Sequence, residues 1–545
     1  MFFSALLRSS LDLSLLKTIQ MLAKLATFAL MGIDALPVEV EVDVSPLPPK
    51  GDGSQEESRY TIVGLPETTV RESVYRVDRA MVNSGIYREP MKVVINLAPA
   101  ELPKQAAAFD LPIAIGMMAA ANAISQEKFG QYALIGELAL DGSVRAVKGA
   151  LSIAIEIAKR YKEGSSEIHG LILPRQNAPE AAVVPDVDVI PVDSLTQALA
   201  FLADTLPIEP LQCNIDQWYA EGGQYDIDFS DVRGQEMTKR AMLVAAAGCH
   251  NILMIGPPGS GKTMLAKRMP TILPPLTPEE SIETTRIYSA VGAVSAERPL
   301  FAVRPFRAPH HTISEPGLVG GGSNPAPGEI SLAHNGILFL DELPEFNRRT
   351  LEVLRQPLEE GTILISRAQA HVSFPANFML VAAMNPCPCG YRNDPRRDCH
   401  CSVPQIERYI NKISGPLLDR IDIHVEVPAV PYNDLVSTQE TESSASLREK
   451  VVMAHAIQAK RYSHAKILYN SQLTARQIRQ FCPLNEECRN VMGSAINEMG
   501  LSARAHDKIL RLARTIADLD NAQNIQVEHL MEAINYRTLD REFWK

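Results

Sequence analysis

The stretch Asn251-Ile-Leu-Met-Ile-Gly256-Pro-Pro-Gly259-Ser-Gly261-Lys262-Thr263 decides the fold. Its apolar run predicts a buried strand, its glycines predict a tight loop, and the residues from Met264 predict a helix. Such glycines let backbone N–H groups turn inward and cradle phosphates, and the positive end of the new helix adds to the attraction. A chance glycine-rich turn is the alternative. We expect instead an ATP site in which Lys262 reaches the β- and γ-phosphates and Thr263 ligates Mg²⁺. The phosphate-binding residues are then Gly256, Pro257, Pro258, Gly259, Ser260, Gly261, Lys262 and Thr263.

A second motif, Gly336-Ile-Leu-Phe-Leu-Asp341-Glu342, places Asp341 79 residues after Lys262. Four apolar residues followed by two carboxylates predict a buried parallel strand whose carboxyl end faces the ligand crevice. Asp341 suits the Mg²⁺ shell, and Glu342 suits a general base that polarises the attacking water. Alone this pattern is weak, but beside the phosphate loop it supports an ATP hydrolase.

The composition limits the kinds of molecule that the protein surface can bind. The 545 residues suggest about three domains, and 46% hydrophobic content is ordinary for a globular protein. A formal net charge of −11 argues against a surface that coats nucleic acid. Any DNA contact must therefore be local, in a groove or a pore.

The chain divides by composition. Residues 1–32 are apolar but interrupted by charges, which predicts an N-terminal extension, with Met21 an alternative start, and no membrane span or signal peptide. We expect a cytoplasmic protein without a membrane contact. Four β-rich runs punctuate the next part of the chain: 38–44, 60–65, 92–99 and 170–174. The predicted parts are a domain of strands and helices at 33–205, a Pro- and acid-rich linker at 206–228, an α/β core at 229–430 and helices at 431–545.

Several segments carry a family resemblance. Asp228-Phe-Ser-Asp-Val-Arg-Gly234-Gln235 resembles the AAA+ segment that borders the adenine. Arg304-Pro-Phe-Arg-Ala-Pro-His310-His311, with the glycines and Pro327–His334 that follow, resembles the Mg-chelatase ATPase subunit and its ComM/YifB relatives. The resemblance implies an α/β AAA+ domain with a helical lid, ATP and Mg²⁺ as ligands, and a homo-oligomeric ring, expected to be a hexamer. It also places His310 and His311 in an inserted segment and disfavours a metal site there.

Three further residues match family motifs. Asn385, which ends an apolar strand, resembles sensor 1, whose amide orients the lytic water. Arg420 in Leu-Leu-Asp-Arg-Ile-Asp resembles the arginine finger supplied to a neighbouring subunit. Arg504 in Ser-Ala-Arg-Ala-His-Asp resembles the sensor 2 arginine on the helical lid. The alternative for Arg504 is a solvated arginine on an amphipathic helix.

Residues 361–374 alternate apolar and polar side chains around a short polar tip, which predicts a hairpin. Its position resembles the pore hairpin of related replicative helicases. Arg367 and His371 are therefore candidate contacts to branched or single-stranded DNA; the alternative is an ordinary surface hairpin. A few pore arginines repeated by ring symmetry would let an acidic protein bind DNA.

Four of the eight cysteines lie within 15 residues, as the pairs Cys387/Cys389 and Cys399/Cys401. Such clustering predicts a metal site in a reducing compartment and disfavours a disulfide framework. Four thiolates suit a structural, tetrahedral Zn²⁺, with His400 a possible substitute ligand. A reduced, metal-free thiol loop remains the alternative.

The N-terminal domain resembles the proteolytic domain of Lon, an α+β fold of the ribosomal S5 domain 2 type. The resemblance rests on Gly136–Val147, Gly170–Pro174 and the stretch from Ile190. Lon-type proteolysis needs a serine activated by a lysine. Pro112 and Leu151 occupy those slots here, which implies a fold without the catalytic dyad.

Three functions are compatible with these motifs. The first is a DNA motor of the ComM type that drives branch migration in recombination or natural transformation. The second is the ATPase subunit of a magnesium chelatase, which inserts Mg²⁺ into protoporphyrin IX. The third is an ATP-dependent protease, which the missing dyad disfavours. The Lon-like domain and the lack of a D-x-S-x-S motif favour the DNA motor.

Overall fold

The computed structural model describes residues 22–46, 60–64, 68–86, 91–102, 107–215, 218–219, 225–322, 325–367, 370–392, 394, 397–435, 441–465, 467–499 and 502–537. These residues form two compact units. The first takes in the described chain up to Ile215 together with Tyr288–Leu300, and the second takes in Asp216–Ile287 and the chain from Phe301 onward. The boundary at Ile215 falls within the predicted linker 206–228. The grouping of Tyr288–Leu300 with the first unit was not predicted.

The first unit contains a seven-stranded sheet in the order β3-β4-β2-β1-β5-β8-β9 and a separate two-stranded ladder of β6 and β7. Its strands are β1 (Leu22–Met31), β2 (Asp34–Pro46), β3 (Tyr60–Val63), β4 (Met91–Ala98), β5 (Tyr132–Leu134), β6 (Glu137–Leu138), β7 (Val144–Arg145), β8 (Gly170–Pro174) and β9 (Asp188–Val192). Its helices are α1 (Thr68–Asn83), α2 (Asp110–Ala120), α3 (Ala150–Lys162), α4 (Ala178–Ala181) and α5 (Leu195–Leu202). The predicted β-rich runs at 38–44, 60–65, 92–99 and 170–174 correspond to β2, β3, β4 and β8.

The predicted extension 1–32 is wrong for residues 22–32. Strand β1 pairs antiparallel with β2 along its whole length, from Leu22 opposite Asp43 to Met31 opposite Asp34. Ala23 and Leu25 are buried, whereas Lys24 lies on the other face and pairs with Glu41 at 2.6 Å. The lysine that breaks the apolar run therefore belongs to the period-two alternation of a half-buried strand.

The second unit contains a five-stranded sheet in the order β11-β14-β17-β10-β18, in which every neighbouring pair is parallel. Because parallel strands end at one edge, the loops that follow them meet there. The strands of the unit are β10 (Ile252–Ile255), β11 (Phe306–Arg307), β12 (Gly320–Gly321), β13 (Ala326–Pro327), β14 (Ile337–Leu340), β15 (Thr362–Arg367), β16 (Ala370–Pro375), β17 (Met379–Met384) and β18 (Ile423–Glu426). The hairpin predicted at 361–374 is confirmed as β15 and β16.

Helices surround this sheet. They are α6 (Glu236–Gly248), α7 (Lys262–Ile272), α8 (Pro278–Val291, which runs into the first unit at Tyr288), α9 (Glu315–Val319), α10 (Glu329–Leu332), α11 (Arg348–Glu352), α12 (Arg355–Glu360), α13 (Val403–Ile410), α14 (Gly415–Leu418), α15 (Tyr432–Leu435), α16 (Ser444–Arg461), α17 (Ala475–Phe481), α18 (Glu486–Met499), α19 (Ala503–Leu519) and α20 (Val527–Asn535). No helix in the described ranges is both long and apolar enough to cross a bilayer.

The division predicted at 430/431 does not separate compact units. Val451 of α16 and Ile509 of α19 belong to the same hydrophobic core as Met254 of β10 and Phe339 of β14. The hydroxyl of Ser444 also accepts a hydrogen bond from the backbone N–H of Phe229 at 2.8 Å. The C-terminal helices therefore complete the core around the five-stranded sheet.

Candidate active site

The phosphate loop follows β10, whose four residues are all buried. A Cβ atom at Gly256 would lie 2.1 Å from the carbonyl oxygen of Val427, so only glycine fits. Gly259 and Gly261 have φ angles of 76° and 91°, which L side chains rarely adopt. Helix α7 begins directly after them at Lys262. The predicted strand, loop and helix are all present.

The side chain of Lys262 is buried and lies within the loop. Its Nζ donates to the carbonyl oxygens of Gly256 and Pro257 at 2.7 and 2.9 Å, and to Oδ1 of Asn385 at 3.2 Å. Burial lowers the pKa of Lys262. The structure thus brings the predicted sensor amide next to the predicted phosphate-binding ammonium, although 123 residues separate them.

Thr263 and Asp341 meet across the two motifs. The Thr263 hydroxyl donates to Oδ2 of Asp341 at 2.6 Å. Asp341 follows β14, which is separated from β10 only by β17, so its carboxylate reaches the phosphate loop. A hydroxyl and a carboxylate are hard oxygen donors of the kind that Mg²⁺ prefers. The donor set therefore fits the predicted ion.

Glu342 has a neighbour that sequence reasoning did not find. It adopts a left-handed conformation, with φ of 52°, and its Oε2 lies 3.2 Å from Nδ1 of His311. Strand β11 runs parallel to β14, so the loop after β11 ends beside Glu342. The sequence contains the pair His310-His311, but the contact of His311 with Glu342 depends on this strand pairing.

A cleft of about 690 Å³ opens beside the phosphate loop, within the usual range for small-ligand sites. Gln235, from the segment expected to border adenine, donates to the carbonyl oxygens of Ser260 at 2.6 Å and Pro428 at 3.0 Å. Val232, Leu265 and Val430 supply apolar lining. The cleft thus joins an apolar wall to the phosphate-binding loop, which suits a nucleotide.

Comparisons with known proteins agree with this geometry. Over 518 residues the chain is 44% identical to the uncharacterized protein YifB of Escherichia coli, covering 94% of this chain and 97% of the relative. It is equally identical, over 516 residues, to competence protein ComM of Haemophilus influenzae, with 94% and 97% covered. The chain belongs to the Mg-chelatase-like AAA+ ATPases, in the ComM/YifB subfamily.

Family models support the same assignment in three pieces. The model described as magnesium chelatase, subunit ChlI, matches residues 228–435. The models for subunit ChlI of Mg-chelatase and for the ChlI C-terminal region match 50–177 and 441–537. The similarity to a magnesium-chelatase 67 kDa subunit of Chlorobaculum parvum is more distant: 23% identity over 307 residues, covering 55% of this chain and 41% of that protein.

The two other predicted arginines of this ComM/YifB-type chain lie in a different cleft, of about 860 Å³. Arg420 contacts the carboxylate of Glu359, and Nη1 of Arg504 lies 3.7 Å from Oδ2 of Asp419. Both line this cleft, whereas neither lines the cleft of the phosphate loop. The structure thus brings the two arginines together but not with Lys262.

The hairpin residues are partly described. Arg367 pairs with Ala370 at the end of the ladder, but its side chain lies outside the described part of the structure. His371 is exposed, with Nδ1 3.1 Å from the hydroxyl of Ser366. A role of either residue in binding DNA stays a prediction.

The four clustered cysteines converge. All four Sγ atoms lie within 4.8 Å of one another. Cys387 Sγ is 3.3 Å from that of Cys389 and 3.7 Å from that of Cys399. Tetrahedral Zn–S bonds of about 2.3 Å place thiolates about 3.8 Å apart, so the cluster fits a metal ion after small adjustments.

Proposed function

We propose that the chain is a ring-forming motor that hydrolyses ATP with Mg²⁺ and drives branch migration of DNA. Lys262 neutralises phosphate charge, while Thr263 and Asp341 would hold Mg²⁺, which would supply screening of the charge on the transferring phosphoryl group. Glu342 accepts a proton from the attacking water. The convergence of the two motifs at Thr263 and Asp341 is the observation that carries the hydrolase part of the proposal.

The placement of the two arginines supports a homo-oligomeric ring, with six subunits expected from the family. Arg420 and Arg504 line a cleft that does not include the phosphate loop, which fits arginines that serve the nucleotide of a neighbouring subunit. An arginine donated to a neighbour's nucleotide is worth roughly 10³ to 10⁵ in rate. Assembly would therefore be a condition for fast hydrolysis.

Two observations favour DNA as the substrate. A relative that matches almost end to end carries the name competence protein, and the hairpin β15–β16 occupies the chain position expected for a pore element. A hairpin cation repeated around a ring would concentrate positive charge in a pore although the chain carries a net charge of −11. We assign the motor to recombination or natural transformation.

The alternative is the ATPase subunit of a magnesium chelatase. The matches to the ChlI family models favour it. The named chelatase subunit matches much less of its own length than the ComM relative does, which favours the DNA motor.

Two structural roles belong to the same proposal. The four converging thiolates hold a structural Zn²⁺ through Cys387, Cys389, Cys399 and Cys401.

The N-terminal unit is a Lon-like domain that binds or assembles and does not cleave peptides. Pro112 and Leu151, at the slots of the Lon dyad, are buried apolar residues of α2 and α3.

A synthetic four-way junction tests the function. We expect the purified protein to resolve a labelled junction into duplexes with ATP and Mg²⁺, and the Lys262→Ala and Glu342→Gln variants to leave it intact. Insertion of Mg²⁺ into protoporphyrin IX is measured in parallel. Pigment metallation without junction processing would replace the DNA motor with the chelatase alternative.

A further inference from the structure

The chain between Cys389 and Cys399 forms part of the wall of the nucleotide cleft. We call it the cysteine loop, and the structure describes its residues 390–392, 394, 397 and 398. Tyr391 and Arg397 line the cleft of about 690 Å³ together with the phosphate loop. The proposed hydrolysis mechanism gives these two side chains no role.

The two ends of the cysteine loop lie close together. Sγ of Cys389 is 3.6 Å from Sγ of Cys399, and the backbone N–H of Cys389 donates to Sγ of Cys401 at 3.4 Å. Gly390, the first residue of the loop, packs against Pro258 of the phosphate loop. Because its ends are held together, the loop has fewer conformations to lose when a ligand binds to it. The loop thus presents its side chains beside the phosphate-binding end of the cleft.

Arg397 and Tyr391 contact each other across the loop. Nη1 of Arg397 donates to the hydroxyl of Tyr391 at 2.8 Å, and its guanidinium carbon lies 5.0 Å from the centroid of the tyrosine ring. A cation at that distance from an aromatic face is attracted to it. A guanidinium has five N–H donors, so the bond to Tyr391 leaves others for a ligand. The half-buried tyrosine is therefore a platform for the exposed guanidinium.

The charges of the loop side chains indicate which part of a nucleotide they fit. Three described residues of the cysteine loop line the cleft, and among them Tyr391 is neutral, Asp394 is acidic and Arg397 is the cation. A planar guanidinium with paired N–H donors matches the oxygens of a phosphate. Lys262, the other cation assigned to the phosphates, is buried within the phosphate loop. Arg397 would therefore reach the phosphates from the outer wall of the cleft.

We propose that Arg397 is a nucleotide-binding residue that contacts a phosphate of bound ATP, and that Tyr391 is a positioning residue that holds its guanidinium in place. This rests on the proposed function, in which the cleft binds ATP. Arg397 serves the nucleotide of its own subunit, unlike Arg420, which is proposed to serve a neighbour. The cysteine cluster then contributes to the ATP site, because it closes the loop that carries both side chains.

Calorimetric titration with a non-hydrolysable ATP analogue tests the phosphate contact. Arg397→Ala should raise the Kd by roughly tenfold or more, as expected for the loss of a hydrogen bond between charged groups. Arg397→Lys keeps the charge but not the fork of donors, so its Kd should lie between those of Arg397→Ala and wild type. Arg408→Ala, which changes an exposed arginine of α13, should match wild type. Thermal unfolding checks that each variant is folded.

Salt and a double variant separate a phosphate contact from a structural role of the loop. The ratio of the Kd of Arg397→Ala to that of wild type should shrink between about 0.05 and about 0.5 M salt, because counterions screen an exposed ion pair. Tyr391→Ala should weaken binding in the wild-type background. It should add little to Arg397→Ala, because the group that the tyrosine positions is already gone.

A Kd within about twofold of wild type in folded Arg397→Ala overturns the phosphate contact, and so does a Kd ratio that is equal at the two salt concentrations. A full extra loss from Tyr391→Ala in the Arg397→Ala background overturns the positioning role of the tyrosine. If the wild-type protein binds no nucleotide, the proposed function itself fails, which is a distinct result.

Discussion

Gly390 packs against Pro258 of the phosphate loop. A Cβ atom at Gly390 would lie 2.5 Å from Cδ and 2.7 Å from Cγ of that proline, and the glycine has a φ of 85°. Gly390 directly follows Cys389, one of the four converging cysteines. The chain segment that carries the cysteine cluster therefore contacts the phosphate loop, and a change in the structure of one should alter the structure of the other.

The first prediction concerns metal in the cysteine cluster. The purified protein should carry close to one Zn²⁺ per chain, and the Cys399→Ser/Cys401→Ser variant should carry none. Structural zinc sites supply roughly 10 to 16 kcal/mol of apparent binding free energy, so the variant should also unfold at a lower temperature. Its ATP affinity should fall as well, through Gly390. Cys213→Ser, outside the cluster, is the control. Zinc-free protein after anaerobic preparation would contradict the prediction.

The second prediction separates binding of ATP from its hydrolysis. Lys262→Ala should abolish tight ATP binding, because it removes the ammonium that lies within the phosphate loop and would neutralise phosphate charge there. Glu342→Gln should bind ATP but turn it over at least a hundredfold more slowly, in line with the usual contribution of a general base. Calorimetric titration and phosphate release measure the two steps. Wild-type turnover by Glu342→Gln would disprove the general-base assignment.

The third prediction concerns ATP sites that two neighbouring subunits share. Arg420→Ala should keep nucleotide binding nearly intact yet lose hydrolysis. Mixing it with Lys262→Ala should restore part of the activity, because each chain supplies what the other lacks at a common interface. Arg408→Ala, an exposed arginine on α13, should behave as wild type. Absence of complementation under conditions in which rings form would argue against a finger that acts on a neighbour.

The fourth prediction concerns DNA. Arg367→Ala should weaken binding to forked or four-way DNA without changing ATP affinity. If the arginine meets one phosphate, its loss should reduce the slope of log K against log salt by roughly one unit for each contact removed. Arg479→Ala, on an exposed face of α17, is the matched control. Equal affinity and slope for Arg367→Ala and wild type would remove the hairpin arginine from the DNA interface.

The fifth prediction concerns pH and His455, whose Nε2 lies 3.2 Å from the carbonyl oxygen of Ala246. Burial lowers the pKa of His455 from 6.5 to about 4. The unfolded chain therefore takes up this proton at higher pH than the folded chain does. The contribution of neutral His455 to the free energy of unfolding is complete above about pH 6.5. It declines by about 1.4 kcal/mol per pH unit as the pH falls toward 4.

His455→Gln should flatten that part of the stability profile relative to wild type, as measured by urea unfolding between pH 4 and 7. Parallel profiles for the two proteins would show that His455 does not titrate as its burial implies.

Local patterns predicted the centre of the site because each element there is continuous in sequence. Strand β10, the glycine loop and the start of α7 occupy one stretch, and Asp341 directly follows an apolar run. The contact between His311 and Glu342 could not be predicted, because it depends on β11, a strand of two residues with no periodicity to recognise. Strand β1 was missed because its alternation looks like an apolar run interrupted by charges. The packing of α16 and α19 onto the sheet joins residues as far apart in sequence as Met254 and Ile509, which no local pattern records.

The pairing of β1 with β2 has a consequence for how the chain folds. Only Gly32 and Ile33 separate the two strands, and Gly32 has a φ of 66°, so closing this hairpin costs little loop entropy. The parallel partner of β1 pairs Ala26 with Ala133, more than one hundred residues later. During synthesis the hairpin can therefore form as soon as Pro46 has left the ribosome, while the strand that covers its open edge is still untranslated. A nascent chain would carry that unpaired edge until residues 132–134 emerge, and this interval is when it is most exposed to pairing with a foreign strand.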